Sequence, residues 1–429
     1  MTIVSAHAQP VEPPSVHAAS KATPSRATPS SGLSDAIADE VIAVRRDLHA
    51  HPELSWSEQR TTDAIAARLQ AAGIAVRRLS TTGLVAEVGE GAGTDRVDMR
   101  TVALRADIDA LPVPDLTDDP WRSRTDGVAH ACGHDVHTAG LLGAGLALMQ
   151  RHARDPLPGR VRLIFQPAEE VMPGGAHCLV EQGVLDGVSA IFALHCDPSL
   201  DVGHVGLREG AITGAADQLV VRLHGDGGHT SRPHLTADLT FALAKVVTDV
   251  PAALSRRLDP RAGASLVWGY LRAGSAKNVI PGVGEAGGTL RMLSVGEWAR
   301  AEQLVTTLVH EVVAPYGVTA QVEYVRGVPP VVNTAQATAV VAAAAGSVLG
   351  RDGVVTTAQS LGGEDFAWYL GTVPGAMARL GTATPGGPRY DLHQGDLRVD
   401  ERCVPIAAAV LAATALGSLA QGALAETAG

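Results

Sequence analysis

Three apolar runs in the first half of the chain each stop at polar residues. Thr101-Val-Ala-Leu-Arg-Ala runs into Asp107 and Asp109, Arg160-Val-Arg-Leu-Ile-Phe into Gln166-Pro-Ala-Glu169-Glu170, and Ala190-Ile-Phe-Ala-Leu into His195. Short apolar runs of this kind read as buried strands. Helical patterns alternate with them: 34–54, capped by Ser34 and stopped by Pro52; 61–72, stopped by Gly73; then 138–149 and 176–182. Strands alternating with helices predict an α/β sheet covered on both faces. Ligands of such sheets bind outside the carboxyl ends of the strands. Asp107, Glu169, Glu170 and His195 all fall at such ends. Two shorter strands are expected at 75–79 and 84–88, with the glycines of 89–93 forming a hairpin turn rather than a nucleotide loop.

From about Ala215 the texture changes. A strand at 217–224, a helix at 236–253, strands at 265–271 and 288–293, a helix at 296–314 and a strand at 320–324 make a small α+β sandwich inserted into the first domain. Alternation resumes after Asn333, in the segment carrying His393. The expected organisation is a tail at 1–33, a catalytic domain at 34–214 and 327–429, and the insert at 215–326. A chain of 429 residues exceeds what one core usually supports. The tail is rich in Pro, Ser, Ala and Thr without an apolar core, so disorder is expected rather than a secretory signal. Residues 404–425 carry no charge over about a membrane span, but they are mostly Ala, with no aromatic belt and no basic flank on the C-terminal side. A packed terminal helix is expected, with no membrane partner. The net charge of −11 with interspersed signs and no basic run argues against nucleic acid. Four cysteines in so long a chain do not make a disulfide framework, which fits a reducing, cytoplasmic setting.

The densest chemistry lies in His130-Ala-Cys132-Gly133-His134-Asp-Val-His137. Cys132 and His134, two apart around a glycine, can aim a thiolate and an imidazole at one point, and both suit a borderline metal such as zinc. A buried cysteine beside solvated histidines is the plain alternative. Taken with Glu170, His195 and His393, however, the set exceeds one tetrahedral site and suits two metals with one ligand shared. Glu169, beside Glu170 at a strand end, could be the proton shuttle that hydrolysis needs; elsewhere such a pair would be merely solvated.

These motifs resemble the M20 metallopeptidase and amidohydrolase family, in its aminoacylase-like branch of hippurate hydrolases and indole-acetyl-amino acid hydrolases. The resemblance runs from about Val41 to Val404. It is carried by Arg45-Arg-Asp-Leu-His-Ala-His-Pro-Glu-Leu, Leu104-Arg-Ala-Asp-Ile-Asp-Ala-Leu-Pro, His130-Ala-Cys-Gly-His-Asp-Val-His-Thr, Phe165-Gln-Pro-Ala-Glu-Glu, Gly227-Gly-His-Thr-Ser-Arg-Pro-His, Asn278-Val-Ile-Pro and Gly363-Glu-Asp-Phe, in that order. It implies a two-metal exopeptidase-like catalytic domain whose insert is a lid that commonly dimerises. By resemblance Cys132 bridges the metals, with His134 and His195 completing one site and Glu170 and His393 the other. Glu169 matches the general base and His229 the lid histidine that stabilises the tetrahedral intermediate, often across the dimer. Asn278 and Arg291 match lid residues that bind the substrate carboxylate; Arg291 could also be a strand arginine in a structural ion pair. Where the wider family has a His-x-Asp ligand motif, this chain has Asp107-Ile-Asp109, which leaves His134 as ligand and Asp109 behind it. His137 and His234 read as supporting residues, and His49 and His51 as capping and packing the first helix. After His393 the chain reads Gln-Gly-Asp, and after Glu170 Val-Met-Pro-Gly-Gly; both departures bear on substrate preference.

The expected activity is cleavage of an N-acyl amino acid by two divalent ions (zinc or manganese, with cobalt or nickel as options), a metal-held hydroxide and Glu169. The partners expected are that small substrate and a second copy of the chain. Rival readings are a dipeptidase or carboxypeptidase, and a catalytically silent metal-binding homologue.

Overall fold

The computed structural model describes residues 33–92 and 100–421. The expected tail at 1–33 therefore lies, but for Leu33, outside the described residues. The first part of the chain forms α1 (Asp35–Ala50), α2 (Gln59–Ala71), β1 (Ala75–Arg78), β2 (Leu84–Gly89), β3 (Thr101–Asp107), α3 (His134–Arg154), β4 (Arg160–Gln166), α4 (Gly175–Glu181), β5 (Val188–Asp201), β6 (Val205–Leu207) and β7 (Gly210–Ala211). Next come β8 (Ala215–His224), β9 (Gly228–His229), α5 (Leu239–Arg257), β10 (Ser265–Ala273), β11 (Val279–Ile280), β12 (Val283–Met292), α6 (Val295–Val313) and β13 (Thr319–Val328). The chain closes with β14 (Val332–Asn333), α7 (Ala335–Leu349), β15 (Val354–Thr356), α8 (Ala367–Leu370), β16 (Gly375–Ala383) and α9 (Cys403–Ala420).

The larger sheet runs β1-β2-β4-β3-β5-β16-β6-β15, with β4, β3, β5 and β16 parallel at its centre. All seven residues of β3 are buried, as a strand covered on both faces requires. One face packs against α1, α2, α3, α7 and α9 and the other against α4 and α8. The expected hairpin at 89–93 is not one. β2 pairs antiparallel with β4, which lies between β2 and β3, so the chain leaves β2 for a strand two places away. Residues 93–99 of that connection lie outside the described residues.

The second sheet, β10-β12-β8-β13, is antiparallel and carries α5 and α6 on one face. Ser34 and Ser294 cap α1 and α6 with their side-chain oxygens, and Asp238 caps α5. α9 is 18 residues long with mean hydropathy 2.0, enough by length and composition to cross a membrane, yet it is a core helix packed on α3 and α7. Its alanines permit this. A Cβ on Gly140 or Gly143 of α3 would sit 2.8 Å from the Cβ of Ala407 or Ala408, so the two helices meet at backbone distance.

Candidate metal centre

The parallel strands deliver Asp107, Gln166 and His195 to one edge, and three short turns complete the site there. Gly133 precedes α3 with φ +84°, and a Cβ on it would lie 2.8 Å from Cys196 Sγ; only glycine lets the chain turn there and start a helix on His134. After β4, Ala168 holds φ +54°, and its N–H donates to Glu58 Oε1 at 2.9 Å. His393 holds φ +63° and donates its N–H to the Ala131 carbonyl at 2.7 Å. Non-glycine residues in this region are strained, and such strain concentrates at functional sites.

Among the described residues five groupings of donor atoms result, the atoms of each within 4.8 Å of one another; Glu169 joins His134 and Glu170 in one and Glu364 and Asp365 in another, and two triads share Cys132: Cys132, His134 and His195, and Cys132, Glu170 and His393. Cys132 belongs to both. Its Sγ lies 3.7 Å from His195 Nε2. His195 Nδ1 donates to the Cys196 carbonyl at 2.8 Å, which leaves Nε2 as an acceptor. His134 Nδ1 lies 3.0 Å from the Asp109 carbonyl and 3.2 Å from its carboxylate, so it too must donate and its Nε2 faces the cluster. Asp109 also takes the Ser55 hydroxyl at 2.7 Å and the Glu170 N–H at 3.0 Å. One carboxylate thereby orients two candidate ligands.

A metal fits these residues. His134 Nε2 and Glu170 Oε1 are buried without a hydrogen-bond partner, which is costly unless a ligand takes their lone pairs. Sulfur, imidazole and carboxylate together suit a borderline divalent ion. Burial pushes the Cys132 thiol well up. Burial alone would lower the His134 imidazole, but Asp107, Cys132 and Asp109 hold it well above its usual range, so an incoming metal must displace the Nε2 proton before it gains that lone pair. Burial drives His195 well down, helped by the Arg379 charge, so its ring is neutral and able to donate.

A third grouping, Asp107, His134 and His137, holds no free donors on two of its members. His137 Nδ1 donates to Asp107 at 2.6 Å and its Nε2 accepts the Cys196 N–H at 2.8 Å. The other Asp107 oxygen takes Arg105 at 2.7 Å. Arg105 is the largest fully buried side chain and also binds Asp365 at 2.8 Å and Gln166 at 2.7 Å. Motif reading missed this ion cluster beneath the site, although Leu104-Arg-Ala-Asp and Gly363-Glu-Asp-Phe both quoted its members. Gly174 fits the same cluster, since a Cβ there would meet Asp365 Oδ2 at 2.3 Å. His49 does not cap α1. It lies buried 2.8 Å from Asp135, which Arg45 also binds at 2.8 Å. His51 does bond back to α1, at the Asp47 carbonyl.

Glu169 is buried beside the triads, 3.9 Å from His134 Nε2. Burial and the neighbouring Glu364 and Glu170 carboxylates push it well above the ordinary range. It opens on a cavity of about 320 Å³ lined by Cys132, Glu170, His195 and His393 on one side and by Asp217, Thr289 and Arg291 of the second sheet on the other. Arg291 gives an N–H to the Leu361 carbonyl at 3.1 Å. His229 and Asn278 are elsewhere. Both are exposed on the β9–β11 ribbon, where His229 pairs with Val279, and neither lines this cavity.

The sequence matches the model of peptidase family M20/M25/M40 over residues 103–417. The chain belongs to that family. It is 34% identical to the Bacillus subtilis YxeP protein, described as a dinuclear metal-binding peptidase of the M20 family, whose structure superposes with a TM-score of 0.77 over 90% of this chain and 99% of that one. It is 36% identical over 367 residues to the N-acetyl-L-cysteine deacetylase of Bacillus subtilis, covering 85% of each. A Rhodococcus jostii protein provisionally named glutamate–cysteine ligase 2-3 is 50% identical over 366 residues; the match covers 85% of this chain but 45% of that one, so this chain spans less than half of that relative's length. This M20 chain is a hydrolase of amide bonds with the family's α/β catalytic fold and inserted sandwich.

Proposed function

We propose that this M20 hydrolase cleaves N-acyl amino acids to a carboxylic acid and a free amino acid. The observation that carries the reading is the pair of donor triads sharing Cys132, with a further buried carboxyl group, Glu169, lining the same cavity. Cys132, His134 and His195 would hold one divalent ion and Cys132, Glu170 and His393 the other. Such a pair supplies Lewis acidity at the scissile carbonyl and lowers the pKa of water. Glu169 accepts the proton of the attacking water and passes it to the leaving amine; a carboxyl group with a raised pKa suits both tasks. Arg291 binds the α-carboxylate from the lid. His229 and Asn278 complete the site from a second copy of the chain, since both are exposed and off the cavity in their own. The β10 edge strand leaves Val267 and Leu271 exposed, and an unpaired apolar edge of this kind is where a second copy can add. Asp109 orients His134 and the Glu170 backbone. Zinc or manganese suits the donor set. We take 34–214 and 327–429 as the catalytic domain, 215–326 as the lid, and the cytoplasm as the setting, where four unpaired cysteines persist.

The N-acetyl-L-cysteine deacetylase relative puts N-acylcysteines at the head of the assay panel. The test is release of free amino acid from a panel of N-acyl amino acids and dipeptides by the metal-loaded enzyme. Turnover of the acyl compounds well above the dipeptides is expected, and the reverse order would assign a peptidase.

A further inference from the structure

Arg379 lies on β16, directly across the parallel ladder from His195, and is 9% exposed. Other buried arginines have acid partners, Arg45 in Asp135 and Arg105 in Asp107 and Asp365. Among the described residues Arg379 has no carboxylate within ion-pair distance. Its side chain lines both the catalytic cavity and a second one of about 860 Å³, formed by segments 196–199, 357–360 and 389–392. Arg291, on the lid, also has no acid partner.

Asp197, Asp391 and Asp396 also line the second cavity, Asp197 taking the Ser199 N–H and hydroxyl and Asp391 the Leu392 N–H, and none of them pairs with Arg379. Glu364 lies 3.2 Å from Arg105 and takes the Phe366 N–H at 3.0 Å. Asp217 takes Trp298 Nε1 at 3.0 Å, the Gly327 N–H at 2.9 Å and the Tyr324 hydroxyl. A guanidinium that faces two cavities with no counter-charge keeps its planar fork free for a carboxylate. The geometry points to Arg379 as the anchor for a second carboxylate on the substrate, the first being held by Arg291. This rests on the N-acyl amino acid reading and narrows it to substrates with two acid groups. The second acid belongs either to the amino acid side chain or to the acyl chain, and the second cavity has room for an extended group of either kind.

The test uses matched pairs on the metal-loaded enzyme. N-acetylglutamate against N-acetylglutamine probes the amino acid side, and N-glutaryl-methionine against N-pentanoyl-methionine probes the acyl side. In at least one pair the wild type should favour the acid. Arg379→Met should then lose about 10- to 100-fold more kcat/KM on the acidic member than on the neutral one, chiefly through KM. Arg379→Lys, which keeps the charge but not the fork, should fall between. Equal losses on both members, or no acid preference in either pair, would overturn the anchor. If no N-acyl amino acid is cleaved, the N-acyl amino acid reading fails by itself and binding decides this one. Calorimetry should show glutarate binding tighter than pentanoate in the wild type, with the difference lost in Arg379→Met; equal binding of the two acids would overturn it.

Discussion

Glu169 and Glu170 are neighbours in sequence but face different chemistry, and the difference comes from what surrounds each oxygen. Glu170 has its backbone tied to Asp109 and one bare oxygen in a donor triad. Glu169 has no such tie and is crowded by other carboxylates. Glu169→Gln should therefore keep its metal and lose about two to four powers of ten in kcat; near-native turnover at full metal content would remove it from the mechanism. Cys132 gives a pH prediction. Its thiol is held well above its usual pKa by burial, so in the metal-free protein it keeps its proton through the neutral range. A metal must displace that proton, so affinity should rise with pH by about tenfold per unit for each proton released. Cys132→Ala should bind less metal with a shallower slope, and Cys132→Asp should recover part. Metal titrations at pH 6, 7 and 8 check this, and a pH-independent wild-type affinity would count against the thiolate ligand. Arg105 belongs to support rather than to chemistry. Arg105→Met leaves Asp107 and Asp365 buried without their cation and should cost about 3–5 kcal/mol in denaturant unfolding.

At the scale of elements, α3 connects the site to the core. Its first turn carries His134 and His137, and its glycines let α9 approach. Gly143→Leu should destabilise by about 1–3 kcal/mol through overpacking against Val41 and Ala408. Gly296→Ala, at an open position in the first turn of α6, should instead gain up to about 1 kcal/mol; thermal melts of the two variants should move in opposite directions. Much of this level was legible in the sequence. Apolar runs ending at Asp107, Glu169 and His195 announced buried strands of a sheet covered on both faces, because only such strands are apolar throughout. The partner of each strand was not legible. The glycines at 89–93 promised a hairpin, but pairing was decided by a strand more than 60 residues later, and no local signal carries that. The Arg105 cluster was hidden for the same reason, since its members come from three separate strands and loops. Arg379, the one charged residue of β16, went unnoticed because no motif contains it.

For the whole molecule, we propose that the lid of one copy serves the catalytic site of another. His229 and Asn278 motivate it by being exposed together on one ribbon, off their own chain's cavity. If sites are shared across a symmetric pair, mixing inactive Glu169→Gln and His229→Ala chains in equal amounts, with subunit exchange, should restore about a quarter of wild-type activity. One site in each mixed dimer is then whole, and no recovery would place His229 in its own chain's site or outside catalysis. Fold, turn strain and orphaned donor atoms all converge on the two donor triads that share Cys132. The direct measurement is to strip the enzyme with a chelator and add zinc or manganese back stepwise. Bound metal is counted by mass spectrometry while release of amino acid from an N-acyl substrate is followed. Two ions should bind per chain, with activity absent from the stripped enzyme and fully restored only as the pair fills. Binding of a single ion per chain at full activity, or turnover by the stripped enzyme, would contradict the two-ion site.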